Sequence, residues 1–224
     1  MSRRRRCDPR SAALQLVVMS RWPAPGRCKR RLARDLGDGV AARVQDRLID
    51  HTLAVARAAR DRWPGVRPRL VLAVDGLAAA AAGRWGRAWQ LDAVVGQGRG
   101  SLGLRLRRQL LRAWRQGAAG VVLIGSDLPD LQVADLLAAR AALESAPVVL
   151  GPALDGGYWL IGLQRAAIPC ACLPLVCGLG GPIPWGGPRV LEHTLAAAAA
   201  AGLAVQLLAP HRDLDHASDL AAWR

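Results

Sequence analysis

Leu14-Gln-Leu-Val-Val-Met19 runs straight into Ser20-Arg-Trp-Pro-Ala-Pro-Gly-Arg-Cys-Lys-Arg-Arg-Leu32. The first six residues form a short apolar run with β-branched valines, the pattern of a strand buried on both faces in a parallel sheet. Two prolines and a glycine then end it. The exit loop carries five cations: Arg21, Arg27, Lys29, Arg30 and Arg31. Pro23 and Pro25 stiffen the loop, and Gly26 lets the backbone approach a ligand closely. A pre-ordered cationic loop at a strand exit suits a diphosphate, because arginine meets phosphate oxygens with paired donors. The Gly-x-x-x-x-Gly-Lys-Ser/Thr pattern of a Walker loop is absent. The competing reading is a solvated basic loop.

The remaining chain alternates strand and helix patterns. Val40–Arg60 has helical spacing, with Val44, Leu48, Thr52 and Val55 on one face. Strands are expected at 69–74, 89–95, 121–124, 148–151, 158–162 and 203–208. Helices are expected at 78–85, 102–116, 133–145, 188–201 and 218–223. Pro188 would sit in the first turn of its helix, and Gly202 would end it. The alanine-rich stretch 195–204 reads as a buried helix. This alternation predicts an α/β fold: a mostly parallel sheet with helices on both faces. In such sheets ligands bind beyond the carboxyl ends of the strands.

The chain has 224 residues, of which 52% are hydrophobic, enough for a sizeable core. The expected organisation is a disordered basic tail over residues 1–13 and one domain over 14–224. The start has no apolar core of the kind a secretory signal needs, and no run is apolar enough to span a bilayer, so a cytoplasmic location is expected. The net charge of +14 points to an anionic partner. Arginine is scattered throughout and no basic stripe is interleaved with stacking aromatics, which argues against nucleic acid and for a local phosphate site. The five cysteines, Cys7, Cys28, Cys170, Cys172 and Cys177, include no Cys-x-x-Cys pair. They read as unpaired thiols of a reducing compartment rather than a disulfide framework or a metal site.

Four further loops carry candidate chemistry. Gln97-Gly-Arg-Gly-Ser-Leu-Gly103 opens a helix, and its backbone N–H groups, that of Gly100 among them, could meet a phosphate or base. Gly125-Ser-Asp-Leu-Pro-Asp130 follows the most apolar strand. There Asp127 can ligate a hard divalent cation that also holds diphosphate oxygens, and Asp130 could cap the next helix. In Gly151-Pro-Ala-Leu-Asp-Gly-Gly-Tyr158, Asp155 sits on a turn between two strands and is a candidate base or acceptor-binding group. Asp213-Leu-Asp215 places two carboxylates on one side of an extended segment, suiting a second metal ligand; alternatively Asp215 or Ser218 caps the last helix.

In order and spacing these motifs resemble one family, the bacterial GT-A-type glycosyltransferases associated with arsenosugar biosynthesis. The matching segments are Arg21–Leu32, Gly100–Arg105, Gly125–Leu131, Gly151–Tyr158, Ile183-Pro-Trp185 and Asp213–Asp215. The resemblance spans residues 14 to 223. It implies a nucleotide-diphospho-sugar transferase fold related to guanylyltransferases of cofactor synthesis. It implies that Arg21, Gly26, Lys29 and Arg31 hold nucleotide phosphates, that Asp127 and Asp215 hold Mg²⁺ or Mn²⁺, and that Asp155 faces a small-molecule acceptor. The family pattern has Lys at 21, Thr at 30, Asp at 101 and Glu at 104, where this chain has Arg21, Arg30, Ser101 and Leu104. The expected activity is metal-dependent transfer of a sugar from a nucleotide sugar. The alternatives are nucleotidyl transfer on the same fold and nucleotide binding without catalysis.

Overall fold

The structure is a computed structural model that describes residues 13–76, 79–171, 176 and 183–223. The first strand, β1 (Gln15–Arg21), lies between β2 (Arg69–Asp75) and β4 (Gly120–Gly125), parallel to both. Outside β2 comes β3 (Ala93–Gly96), again parallel. On the other side, β6 (Tyr158–Gln164) pairs antiparallel with both β4 and β5 (Val148–Pro152), and β7 (Val205–Leu207) closes the edge parallel to β5. The seven-stranded order is β3-β2-β1-β4-β6-β5-β7. The expected mostly parallel α/β sheet is therefore the observed one.

Strand alternation sorts the core into two layers. Leu16, Val18, Leu70, Leu72, Val122, Ile124, Val149 and Leu160 face one side. They meet α2 (Asp38–Asp61) through Ile49, Leu53 and Ala56, and α5 (Val133–Ser145) through Leu136 and Ala139. Val17, Met19, Val71, Val121, Leu123, Leu150 and Ile161 face the other. They meet α4 (Leu102–Arg115) through Leu106 and Leu110 and, after the single-turn α6 (Ile168–Ala171), α7 (Val190–Ala200) through Ala197 and Ala198. A period of two in the strands meets a period of 3.6 in the helices. Each fully buried leucine or isoleucine contributes roughly 1.5–3 kcal/mol relative to exposure. A smaller cluster of Leu32, Ala41, Val44, Leu48 and Leu214 pins the C-terminal segment against α1 (Arg30–Leu36) and α2.

Several boundaries differ from expectation for local reasons. The basic stretch 20–32 is not loop throughout, since α1 starts at Arg30. Residues 89–92 are not strand: α3 (Ala79–Ala88) runs to Ala88, Gln90 adopts φ 53°, and the chain turns there before β3. Residue 78, the expected start of that helix, lies outside the described residues. Pro188 precedes the helix it was expected to begin, with Arg189 at the N-cap. The stretch 195–204 is not buried throughout: only one face of α7 is covered, with Ala199 and Ala200 exposed. Asp130 does not cap α5, because Gln132 and Asp135 form a capping box there. The last helix is a 3₁₀ helix (Ala217–Ala222). Its N-cap is His216 rather than Asp215 or Ser218, and Asp219 in the first turn accepts from the backbone N–H groups of Asp215 and His216. The tail before residue 13, with Cys7, lies outside the described residues, as do Cys172 and Cys177. Of the rest, Cys28 is buried and Cys170 exposed, both as free thiols.

The Asp155-Gly-Gly turn is locked to α7. The N–H of Leu191 donates to the carbonyl of Gly156 at 2.9 Å. Gly156 has φ +88°, and a β-carbon there would collide with the carbonyl of Pro188. Positive φ and this close approach together require glycine. Gly156→Ala is expected to destabilise the fold by about 2–4 kcal/mol, read as a lower midpoint of urea unfolding at an unchanged slope.

Candidate functional site

β1, β2 and β4 all end on one edge of the sheet, with Arg21 beside Asp75 and Met19 beside Gly125. A cleft of about 630 Å³ opens there. Its floor is a buried polar network. Gln45 of α2 donates to Ser126 Oγ (3.1 Å), Ser126 to Ser20 Oγ (2.9 Å), and Ser20 to the Arg21 carbonyl (3.1 Å). Gln97 donates both amide hydrogens to backbone, to Ser20 O at 2.8 Å and Ala73 O at 3.0 Å. These bonds join the exits of β1, β2, β3 and β4 into one rigid base, because each buried polar group has a fixed partner.

The β1 exit supplies the cationic wall. Arg21, Arg30 and Arg31 line the cleft and are exposed. Arg30 and Arg31 belong to the first turn of α1, whose N-cap is Lys29 at φ 45°. A left-handed non-glycine residue costs about 1–2 kcal/mol, and here it turns the lysine side chain inward. Its ammonium donates to the carbonyl of Leu214 at 2.5 Å and pairs with Asp127 at 2.9 Å and Asp215 at 3.4 Å. The ammonium thus faces protein oxygens, at the position where the sequence led to the expectation of a phosphate contact. Arg31 meets the other oxygen of Asp215 at 3.1 Å, and the Leu214 N–H donates to the Asp127 carbonyl at 2.9 Å. The neighbouring Cys28 thiol is pushed up in pKa by burial.

Asp127, Asp213 and Asp215 form the acidic side of the cleft. Burial first, and then the charges of Asp127, Asp155 and Asp215, push the Asp213 carboxyl up to about 7 against the opposing charge of Lys29. Asp155 itself is exposed, accepts from the Gly157 N–H at 2.9 Å and is not among the cleft-lining residues. Gly26 is not among them either; its φ of +74° serves the turn closed by Arg27 N to Ala24 O. Gly100 does line the cleft, at φ +112°. Its carbonyl accepts from Arg105 Nε at 3.0 Å, and Arg105 also pairs with Asp75 at 2.6 Å. Tyr158 borders the cleft with its hydroxyl buried, and burial holds that phenol neutral, well above its ordinary range.

The structure therefore brings together Arg21, Lys29, Arg31, Gly100, Asp127 and Asp215, and leaves Gly26 and Asp155 outside the lining. It adds Gln45, Gln97, Arg105 and Ser126, and brings in Asp213 of the Asp-Leu-Asp segment together with Asp215. Gln45 had a readable signal, being a lone amide beside Val44 on an otherwise apolar helix face. Among the described residues no three His, Cys, Asp or Glu side chains gather into a ready-made metal cage. Asp127 and Asp215 still offer hard oxygens, with 43% and 36% of their side chains exposed. A pair of carboxylates completed by substrate phosphates is the set Mg²⁺ or Mn²⁺ uses with nucleotides, so the residues fit such an ion.

An acid whose folded pKa lies above its unfolded value gives stability below the unfolded pKa and loses it as pH rises through the folded one. For Asp213 that window runs from about 4 to about 7. With chelator present, Asp213→Asn should stabilise the protein at pH 8 by on the order of 1–4 kcal/mol and change little at pH 4. Urea unfolding at the two pH values checks this; equal effects at both would remove the assignment.

Comparison with known proteins bears out the fold. A solved structure from Desulfovibrio desulfuricans G20, provisionally named a nucleotide-diphospho-sugar transferase, is similar with a TM-score of 0.76 and 27% identity, over 92% of this chain and 84% of that one. Rv0371c of Mycobacterium tuberculosis H37Rv, solved with manganese, is similar at TM-score 0.51 and 21% identity, over 95% and 97% of the two chains. The 4-diphosphocytidyl-2C-methyl-D-erythritol synthase of Anaerococcus prevotii DSM 20548 shares the fold at TM-score 0.63 and 8% identity, over 95% and 96%. No curated protein matches the sequence. Residues 55–175, more than half of the chain, match the family model described as an uncharacterized protein conserved in bacteria. The chain belongs to that bacterial family, DUF2064.

Proposed function

We propose that the chain is a nucleotide-dependent transferase that moves a sugar from a nucleoside-diphosphate sugar to a small-molecule acceptor. The observation that carries this reading is the cleft with walls of opposite charge: Arg21, Arg30 and Arg31 on one side, Asp127, Asp213 and Asp215 on the other. The guanidiniums suit the diphosphate, and charge-assisted paired contacts are the strongest available for it. Asp127 and Asp215 would hold Mg²⁺ or Mn²⁺, which when bound neutralises charge on the departing phosphates. The manganese in Rv0371c and the provisional name of the Desulfovibrio structure support the ion and the donor class. Arg21 and Arg31 fix the phosphates, and the Gln45–Ser126–Ser20 network holds their wall in place. Asp155, on the locked turn beyond Asp213, is assigned to the acceptor hydroxyl. The arsenosugar association of the resembling family gives the first acceptors to assay. Nucleotide pools and free thiols both fit a cytoplasmic setting.

Nucleotidyl transfer is the second reading. Arg30 favours it, since a third guanidinium on the wall gives room for a triphosphate. On this path an acceptor phosphate attacks the α-phosphate and pyrophosphate departs. The trapped product separates the two: free nucleoside diphosphate supports sugar transfer, pyrophosphate supports nucleotidyl transfer, and binding without product leaves a nucleotide-binding protein.

With Mn²⁺ present, at least one nucleoside diphosphate should raise the melting temperature. Arg21→Ala should weaken diphosphate binding by about tenfold or more while barely affecting the nucleoside, because one charge-assisted contact is worth about 1.5–3 kcal/mol. If no nucleotide in the panel shifts the melting temperature, the reading fails.

A further inference from the structure

Lys29 is the only lysine in the chain, beside 30 arginines. An ammonium is a compact point charge with three donors. Around it lie three oxygens: Leu214 O at 2.5 Å, Asp127 Oδ1 at 2.9 Å and Asp215 Oδ1 at 3.4 Å. The lysine side chain is 2% exposed, while both carboxylates remain open to the cleft. The ammonium therefore occupies the protein side of the same carboxylate pair that faces incoming ligand.

We propose that the Lys29 ammonium and a divalent cation are alternative occupants of the Asp127–Asp215 pair, so that the cation enters fully only as the ammonium leaves. This rests on the reading that the cleft takes a nucleotide with its metal ion. With Arg31 already on Asp215 at 3.1 Å, an ammonium and a divalent cation held together would put more positive charge at the pair than its two carboxylates neutralise, so the two cations repel each other there. A displaced ammonium needs new oxygens, because a buried charge without a partner is strongly destabilising. The nearest place for them is the arginine wall, where phosphate would lie, and Lys29 already borders that cleft. Phosphate and cation then favour each other's binding through the lysine, by the same factor in both directions.

The single lysine makes the exchange directly observable. Full-length protein labelled with ¹³C at lysine Cε carries one such side-chain signal. Titration with Mg²⁺ alone should move it in a saturable way. Pyrophosphate, as the phosphate probe, should lower the Mg²⁺ concentration needed. In parallel, Lys29→Met should bind Mn²⁺ about tenfold more tightly than the parent, counted from the free ion by electron paramagnetic resonance, since its competitor is gone. A signal that stays in place up to tens of millimolar Mg²⁺ makes the ammonium a permanent strut and overturns the exchange. So does equal or weaker Mn²⁺ binding by a folded Lys29→Met. If that variant does not fold, the titration of the parent decides alone. Should the signal move with Mg²⁺ while no nucleotide raises the melting temperature, the exchange stands and the nucleotide reading falls.

Discussion

Strand direction is the constraint on which the rest of the molecule depends. With β1 held between two parallel neighbours, the exits of β1, β2 and β4 must open on the same edge. A helix has to cover each return path, so both faces of the sheet are filled and the loops are free to diverge. Every group in the cleft inherits its place from that arrangement. The network from Gln45 through Ser126 to Ser20 then keeps the edge from splaying, because a buried hydroxyl or amide without its partner costs about 1–3 kcal/mol.

The sequence carried the fold in its apolar runs. β1, β2 and β4 are unbroken β-branched and leucine-rich stretches, and α2, α4 and α5 repeat with helical spacing, so their type and order were legible. What failed was local. Nothing in the composition of 89–92 announces that Gln90 turns left-handed, and the run of cations at 29–31 hid a helix start. The short Asp155-Gly-Gly turn sets β6 antiparallel to β5, but the insertion of β6 beside β4 was silent, because a strand buried among parallel ones has the same apolar composition.

The site was legible as a set of loops rather than as a set of contacts. Arg21, Arg31, Gly100, Asp127 and Asp215 could be singled out because charged residues and glycine at strand exits have few structural duties. The partner of each charge could not be read. Lys29 sits close to a cationic wall in sequence yet reaches 185 residues along the chain to Leu214. That long-range pairing follows from Leu214 entering the small cluster with Leu32 and Leu48. Apolar packing brings the Asp-Leu-Asp segment in, and the carboxylates either side of Leu214 then find the lysine. Asp155 stood out by its motif, but that its carboxylate accepts from the N–H of Gly157 in its own turn could not be read.

The position of β6 between β4 and β5 has a consequence for how the chain is made. As the polypeptide emerges, β4 is complete before β6 exists, and its free side is a row of unpaired backbone groups beside Val121-Val-Leu-Ile124. β5 comes next in sequence but cannot close that side, because its place is one strand further out. The nascent sheet therefore carries an open, apolar border until residue 164 is available. An open border of that kind invites pairing with other chains. The late strand is in effect the wedge that ends the molecule's most aggregation-prone interval, and substitutions that slow its arrival should be felt first in yield rather than in catalysis.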